Sequence, residues 1–237
     1  MVSKEKYLVD LPKRRVGNYE YTSHFRYLNM LLTKCVKAGH VVLDAGCGGG
    51  KSLEIIRKDS YRVGLDIKKE NLLKARMIEG NNNLVLGDLE YLPFKERAFD
   101  FVFCQDVLEH VKSAEKTIRE FSFVLKEKGV VAISTTNLLC PWLFFDTFLP
   151  SSVSGKLIKK FGGIEHYERS FRFSPWTLFK RLRENKFEPR LLMFGILFLG
   201  FSKYRIVFYV WSALDRLTNI SLFKKFKEVM VVVARNQ

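Results

Sequence analysis

Apolar residues recur along this chain in two rhythms that take turns. Between residues 20 and 38, Phe25, Leu28, Leu31, Leu32, Cys35 and Val36 fall at helical spacing, and Gly39 supplies a stop. Residues 41–45, VVLDA, form a short β-branched run that ends in a glycine loop, the pattern of a buried strand. The alternation then repeats. A helix is predicted over 53–58, a strand over 62–67, a helix over 70–79 closed by Gly80, and strands over 84–88 and 99–106. Residues 113–126 form an amphipathic helix with Ile118, Phe121, Val124 and Leu125 on one face, and 129–135 form a fifth strand. After residue 136 the rhythm breaks, then resumes with a helix at 175–185, opened by Ser174-Pro175, and strands near 188–194 and at 229–234. Strands alternating with helices predict an α/β fold, a doubly wound and mostly parallel sheet.

In such sheets ligands bind outside the carboxyl ends of the strands, where the strand order reverses. The unusual polar residues gather at those ends: Asp44, Asp66, Asp88, Gln105 and Asp106. The first loop, LDAGCGGGKS over 43–52, admits three chemistries. As A-x-x-x-x-G-K-S it nearly matches a phosphate-cradling loop, with Asp106 as a candidate magnesium-holding acid. Asp44 argues against that, because a carboxylate about 4 Å from a polyphosphate costs several kcal/mol per charge pair. A nicotinamide dinucleotide wants G-x-G-x-x-G, which the loop meets only by stretching. S-adenosylmethionine, a sulfonium and ammonium cation without phosphate, accommodates every acid. Gly46 and Gly48 let the backbone approach it, Asp66 lies 22 residues past Asp44 and suits ribose hydroxyls, and Asp88 can accept from the adenine amino group with Leu89 on the ring. Lys51 is then free to sit on the helix surface.

Four stretches carry a family resemblance: VVLDAGCGGG, VGLDIKKENLLKAR, GDLEYLPFKERAFDFVFCQDVLEHV and KEKGVVAIST. They resemble the successive motifs of class I S-adenosylmethionine-dependent methyltransferases, in particular the type-11 group that includes quinone-biosynthesis O-methyltransferases. The resemblance covers about residues 20–136. It implies a Rossmann-like seven-stranded sheet whose last strand is antiparallel, with residues 229–237 similar to that strand. It further implies that Asp44, Gly46 and Gly48 line the cofactor, that Asp66 with Ile67 beside it binds the ribose, and that Asp88 and Leu89 contact adenine. Gln105 and Asp106 would border the methionyl group, and Arg26 is similar to an arginine that pairs with the cofactor carboxylate.

Two sites offer a base for a hydroxyl or amine acceptor. The segment DVLEH, 106–110, places Glu109 and His110 just past the fourth strand. A similar segment in the quinone O-methyltransferases borders substrate and has been linked to a divalent metal, which Asp106, Glu109 and His110 on one helix face could match. The reading preferred for this chain holds no metal. The second site is 162–178, where His166 is a candidate general base oriented by Glu165 or Glu168. Between these sites, Trp142, Phe144, Phe145 and Phe148 precede Lys156, Lys159 and Lys160, a helical and aromatic insertion that suits an apolar acceptor or a membrane surface.

Charge sharpens the picture in one respect. Residues 151–237 hold 17 Lys/Arg and 6 Asp/Glu, so most of the net charge of +15 lies there, together with 16 of the 33 aromatic residues. Such a tail suits a lipid surface, RNA or an acidic substrate. The long apolar stretch 191–214 is broken by Lys203 and Arg205 into runs too short to span a bilayer, so a buried strand and helix are expected there. Cys35, Cys47, Cys104 and Cys140 show no paired spacing and are expected to be reduced. The opening residues lack an apolar core of signal-peptide length, so a cytoplasmic protein, at most peripheral at the membrane, is expected. The expected organisation is one domain over 1–237: a cofactor core at 20–136, a substrate lid at 137–187 and sheet-completing strands at 188–237. The expected activity is methyl transfer from S-adenosylmethionine to a small, apolar or ring-bearing acceptor at oxygen, with RNA methylation as the rival. A non-catalytic cofactor binder and a nucleotide-binding protein are the alternatives of another class.

Overall fold

Seven strands form one sheet: β3 (Val41–Ala45), β4 (Tyr61–Asp66), β5 (Leu84–Leu86), β6 (Phe99–Gln105), β7 (Leu125–Thr136), β8 (Phe187–Phe194) and β9 (Val229–Asn236). A short antiparallel pair, β1 (Arg14–Val16) and β2 (Tyr19–Tyr21), precedes them. The computed structural model describes residues 14–16, 19–21, 28, 32–78, 83–139, 153, 173–194 and 229–237. Among these, the helices are α1 (Lys51–Ile55), α2 (Lys69–Arg76), α3 (Ala114–Val124) and α4 (Pro175–Glu184), with residues 32–35 also helical.

The strand order is β5-β4-β3-β6-β7-β9-β8. Pairings from β5 across to β7 are parallel, while β9 runs antiparallel to both β7 and β8. This is the expected doubly wound sheet with an antiparallel last strand. The chain walks outward from β3 to β5, then crosses back to β6 on the other side of β3. The switch point therefore lies between β3 and β6, where a ligand crevice is expected.

Alternate residues of each central strand face opposite cores, as the two-residue period of a strand requires. Leu43, Val102, Cys104, Ile133 and Val232 pack with Phe121, Leu178 and Leu182 on one side. Val42, Phe101, Phe103, Ala132 and Val231 pack with Leu28, Leu32 and Val36 on the other. Burial on both faces explains why these strands read as continuous apolar runs. Each fully buried Leu or Phe contributes about 1.5–3 kcal/mol to folding.

Helix ends follow local chemistry. Ser174 and Thr177 form a reciprocal capping box at α4: Thr177 N donates to Ser174 Oγ at 3.2 Å and Ser174 N to Thr177 Oγ1 at 3.0 Å. Ser113 caps α3 by accepting from Lys116 N. Several boundaries differ from the sequence expectation. Glu20 and Tyr21 lie in β2, not in a helix. The helix α1 occupies 51–55 rather than 53–58, because Ile56 is already extended. The third strand stops at Leu86, leaving Asp88 in an isolated bridge to Tyr91. The helix expected to reach residue 126 ends at Val124, and β7 begins at once with Leu125. That abrupt junction leaves carbonyls that Asn236 satisfies: its Nδ2 donates to Ser122, Leu125 and Lys126 O at 3.2, 3.1 and 3.4 Å.

After β7, Asn137 bridges to Phe173, and Leu138 N donates to Phe173 O at 2.9 Å. Phe173 thus returns to the point just past β7 where the chain left the sheet. The aromatic and lysine-bearing insertion between these points, Arg26, His166 and residues 195–228 lie outside the described residues. Of the long apolar stretch, residues 191–194 belong to β8. Among the described residues no helix is long and apolar enough to cross a membrane.

Candidate active site

The loop after β3 folds over the end of β4. Gly46 N and Cys47 N both donate to Leu65 O, at 2.7 and 2.9 Å, and Gly50 N turns back to Cys47 O. Gly48 N donates to Asp66 Oδ2 at 2.9 Å. Gly46, Gly48 and Gly50 have φ of 83°, 52° and 82°, which glycine adopts without a Cβ penalty. Four of the loop's amides are therefore spent within the fold, whereas a triphosphate cradle needs them aimed at a ligand. Lys51 is exposed. These two facts weigh against the triphosphate reading.

Asp66, at the end of β4, is buried and organises its surroundings. Besides Gly48 N, it accepts from Lys68 N at 2.8 Å and from Asn71 Nδ2 at 3.1 Å, both at Oδ1. A carboxylate has about four acceptor positions, so one on Oδ2 remains for a ligand hydroxyl. Ile67, the next residue, is exposed despite being large and apolar. That surface suits the face of a ring.

Asp44 lies on β3 beside Gly64 of β4 and Phe103 of β6. It is 2% exposed, and its Oδ2 is a buried oxygen with no hydrogen-bond partner. Burial, reinforced by the charge of Asp66, raises its pKa to about 7. A buried acceptor left unpaired costs about 1–3 kcal/mol, so this oxygen is poised for a donor or cation from outside the fold.

Gln105 ends β6, and the chain turns sharply at Asp106, whose φ is 53°. Ser134 on β7 holds that strained residue: its carbonyl and hydroxyl accept from Asp106 N at 3.1 and 3.0 Å, and its hydroxyl donates to Asp106 Oδ1 at 2.6 Å. Val107 then packs against Gly46, so the two loops at the switch point touch. On the outer side, Asp88 accepts from Glu90 N at 2.9 Å, with Leu89 buried beside it.

Glu109 and His110 do not share a helix face. Residues 108–110 form a turn, in which Glu109 is buried and His110 exposed. Thr135 Oγ1 donates to Glu109 Oε2 at 2.9 Å, and the amides of Glu109 and Thr136 also reach the carboxylate. Burial, then the charge of Asp106, pushes its pKa up to about 7. Among the described residues no group of three His, Cys, Asp or Glu is placed to hold a metal.

Position by position, the structure brings Asp44, Gly46, Gly48, Asp66, Ile67, Gln105 and Asp106 to the switch point. Asp88 and Leu89 stand toward the sheet edge beyond β5. Sequence reasoning passed over Asn71, Val107, Ser134 and Thr135, which hold the acids and the loops. Only Asn71 left a local signal, an amide one helical turn from Asp66.

Residues 43–133 match the model of a family described as a methyltransferase domain. The match runs from within β3 to within β7, the strands that frame the switch point. An uncharacterized protein of Methanocaldococcus jannaschii is 36% identical over 126 residues, covering 52% of this chain and 54% of that protein. The ubiquinone biosynthesis O-methyltransferase of Neisseria meningitidis is 32% identical over 109 residues, 42% of this chain and 45% of that enzyme. The chain thus spans about half the length of the curated relatives it matches. Among solved structures, an S-adenosylmethionine-dependent methyltransferase from Mesorhizobium loti superposes with a TM-score of 0.59 at 18% identity, covering 87% of this chain and 96% of that one. A SAM-dependent methyltransferase from Thermotoga maritima gives 0.58 at 15%, covering 88% of each chain. The sheet therefore has the fold of these S-adenosylmethionine-dependent methyltransferases, and S-adenosylmethionine is the cofactor to test against the residues of this site. The residues present fit it: an unpaired buried carboxylate for a cation, left-handed glycines for a close backbone, and an acid with a free acceptor at the second strand.

Proposed function

We propose that this chain transfers the methyl group of S-adenosylmethionine to the oxygen of a small, apolar or ring-bearing acceptor. The observation that carries the reading is the unpartnered Oδ2 of Asp44, buried under the glycine loop at the switch point. It suits a ligand that brings an ammonium and a sulfonium, and it repels a polyphosphate.

The cofactor supplies an electrophilic methyl on a positively charged sulfur. The rest falls to the protein. Displacement at that methyl disperses positive charge, so the chain contributes mainly alignment and exclusion of water. Asp66 is built to fix the ribose, Asp88 and Leu89 the adenine, and Gln105 and Asp106 the methionyl end. Arg26 is assigned to the cofactor carboxylate. When an acceptor hydroxyl forms its bond to the methyl carbon, the S–CH3 bond breaks and the hydroxyl proton passes to a base, for which His166 is the candidate.

The acceptor class is supported by the aromatic insertion between β7 and α4, read as a lid of an otherwise single-domain enzyme. The same basic, aromatic composition supports work at a membrane surface. Incubation with radiolabelled S-adenosylmethionine and separated lipid, small-molecule and RNA pools tests this. Label in the small-molecule or lipid pool is expected; label confined to RNA would overturn the acceptor, and no affinity for the cofactor would overturn the whole reading.

A further inference from the structure

Glu109 is the buried acid for which the proposed reaction has no use. It sits 4% exposed on a tight turn, and its oxygens face inward to β7. A proton acceptor for a bound substrate must reach that substrate. Glu109 instead spends its carboxylate on the Thr135 hydroxyl and on the amides of Glu109 and Thr136.

Its neighbours show what that arrangement does. Asp106, three residues earlier, keeps a left-handed backbone because Ser134 grips both its amide and its carboxyl. Thr135, next to Ser134, grips Glu109. The turn 106–110 is thus fastened to consecutive residues of β7 at both of its ends. Val107, between the two fastenings, is the residue that meets Gly46 of the cofactor loop. We infer that Glu109 is a positioning residue, which holds Asp106 and Val107 in register with the glycine loop by tying their turn to Thr135 and Thr136. This rests on the reading that the switch point binds S-adenosylmethionine.

The groups facing Glu109 define its pH behaviour. Among the described residues, Asp106 on its own turn raises its pKa, and the Thr135 hydroxyl and the amides of Glu109 and Thr136 lower it. Buried Cys104 on β6 senses Glu109 together with Asp44 and Asp106. As pH rises through about 7 the Glu109 carboxyl ionises, and a charged acceptor grips its donors more strongly. The cofactor site should therefore tighten with pH, through Glu109 as well as through Asp44.

The test is calorimetric titration of the full chain with S-adenosylmethionine from pH 6 to 8, for wild type, Glu109→Gln, Glu109→Ala, Thr135→Val and the double Glu109→Ala/Thr135→Val variant. Glu109→Ala and Thr135→Val should each weaken binding about 10-fold at pH 8. The double variant should lose no more than the worse single one, since both break the same tie. Glu109→Gln can still accept from the backbone and donate to the Thr135 hydroxyl. It should bind like wild type at pH 6 but gain less on going to pH 8. Additive losses, or an unchanged dissociation constant in folded Thr135→Val, would overturn the inference. So would a Glu109→Gln profile parallel to wild type. Wild-type protein that binds no cofactor would instead remove the parent reading, and this inference with it.

Discussion

A methyl group added to Gly46 would stand 2.5 Å from Val107 Cγ2 and 2.7 Å from Val107 Cγ1. The two loops that frame the switch point are in contact, and glycine alone allows it. Gly46→Ala meets two costs: about 1–2 kcal/mol for a left-handed L-residue and about 1–3 kcal/mol for the overlap. Only the second depends on Val107. Urea denaturation should therefore show Gly46→Ala to be less damaging in a Val107→Ala background than in wild type. Equal damage in both backgrounds would place the loops apart.

The buried, unpartnered carboxylate of Asp44 costs the ligand-free fold stability. Its pKa is 3.8 when unfolded and about 7 when folded. Between those values the folded state holds a proton that the unfolded state has released, so ligand-free stability falls as pH rises from about 4 to about 7, then levels off. Glu109, raised in the same direction, adds to the fall. Asp44→Asn removes the charge. It should raise the denaturation midpoint of the ligand-free protein at pH 8 and weaken S-adenosylmethionine binding at least about 10-fold, the loss of a charge-assisted contact. A midpoint that drops at pH 8 would contradict the unpartnered carboxylate.

Asp66 ties the glycine loop to the start of α2, and on the proposed reading it also binds the cofactor. Asp66→Ala frees Gly48 N, Lys68 N and Asn71 Nδ2 at once. Cofactor affinity should fall by about 1.5–3 kcal/mol, measured by calorimetry. Asn71→Ala removes one of the three donors and should give a smaller loss in the same direction. If Asn71→Ala costs as much as Asp66→Ala, the acid acts only through that amide.

Far from the site, Asn236 staples the last strand to the junction of α3 and β7. Its Nδ2 serves three carbonyls, and its Oδ1 accepts from Ser122 Oγ at 3.2 Å. Asn236→Ala should lower stability by about 1–3 kcal/mol, the cost of buried groups left unpaired, while cofactor affinity stays as in wild type. A change in affinity larger than twofold would tie this corner to the site.

The sequence revealed what depends on periodicity and on residues at strand ends. β3, β4 and β6 fill both cores, so their apolar runs are dense, and their terminal acids stand out against them. The junction of α3 and β7 was hidden because Leu125 fits a helical face as well as a strand, and no breaker precedes Gly129. Lys128, at φ 62°, takes a left-handed turn that glycine would have advertised. The β1–β2 pair was missed because the apolar spacing from Phe25 onward invited a helix to start too early. At the site, the acids were legible and their holders were not. Ser134, Thr135 and Val107 act across strands, and nothing in their own neighbourhoods marks them. Glu109 was expected on one helix face with Asp106 and His110, and only tertiary placement shows it turned inward to Thr135.

The bridge between Asn137 and Phe173 makes the intervening stretch a detour with a common door. A segment spliced in there adds little strain to the sheet, because its two ends are already held together. On the proposed reading of that stretch as the substrate lid, exchanging it would redirect which molecule is modified and leave the donor-binding half as it is.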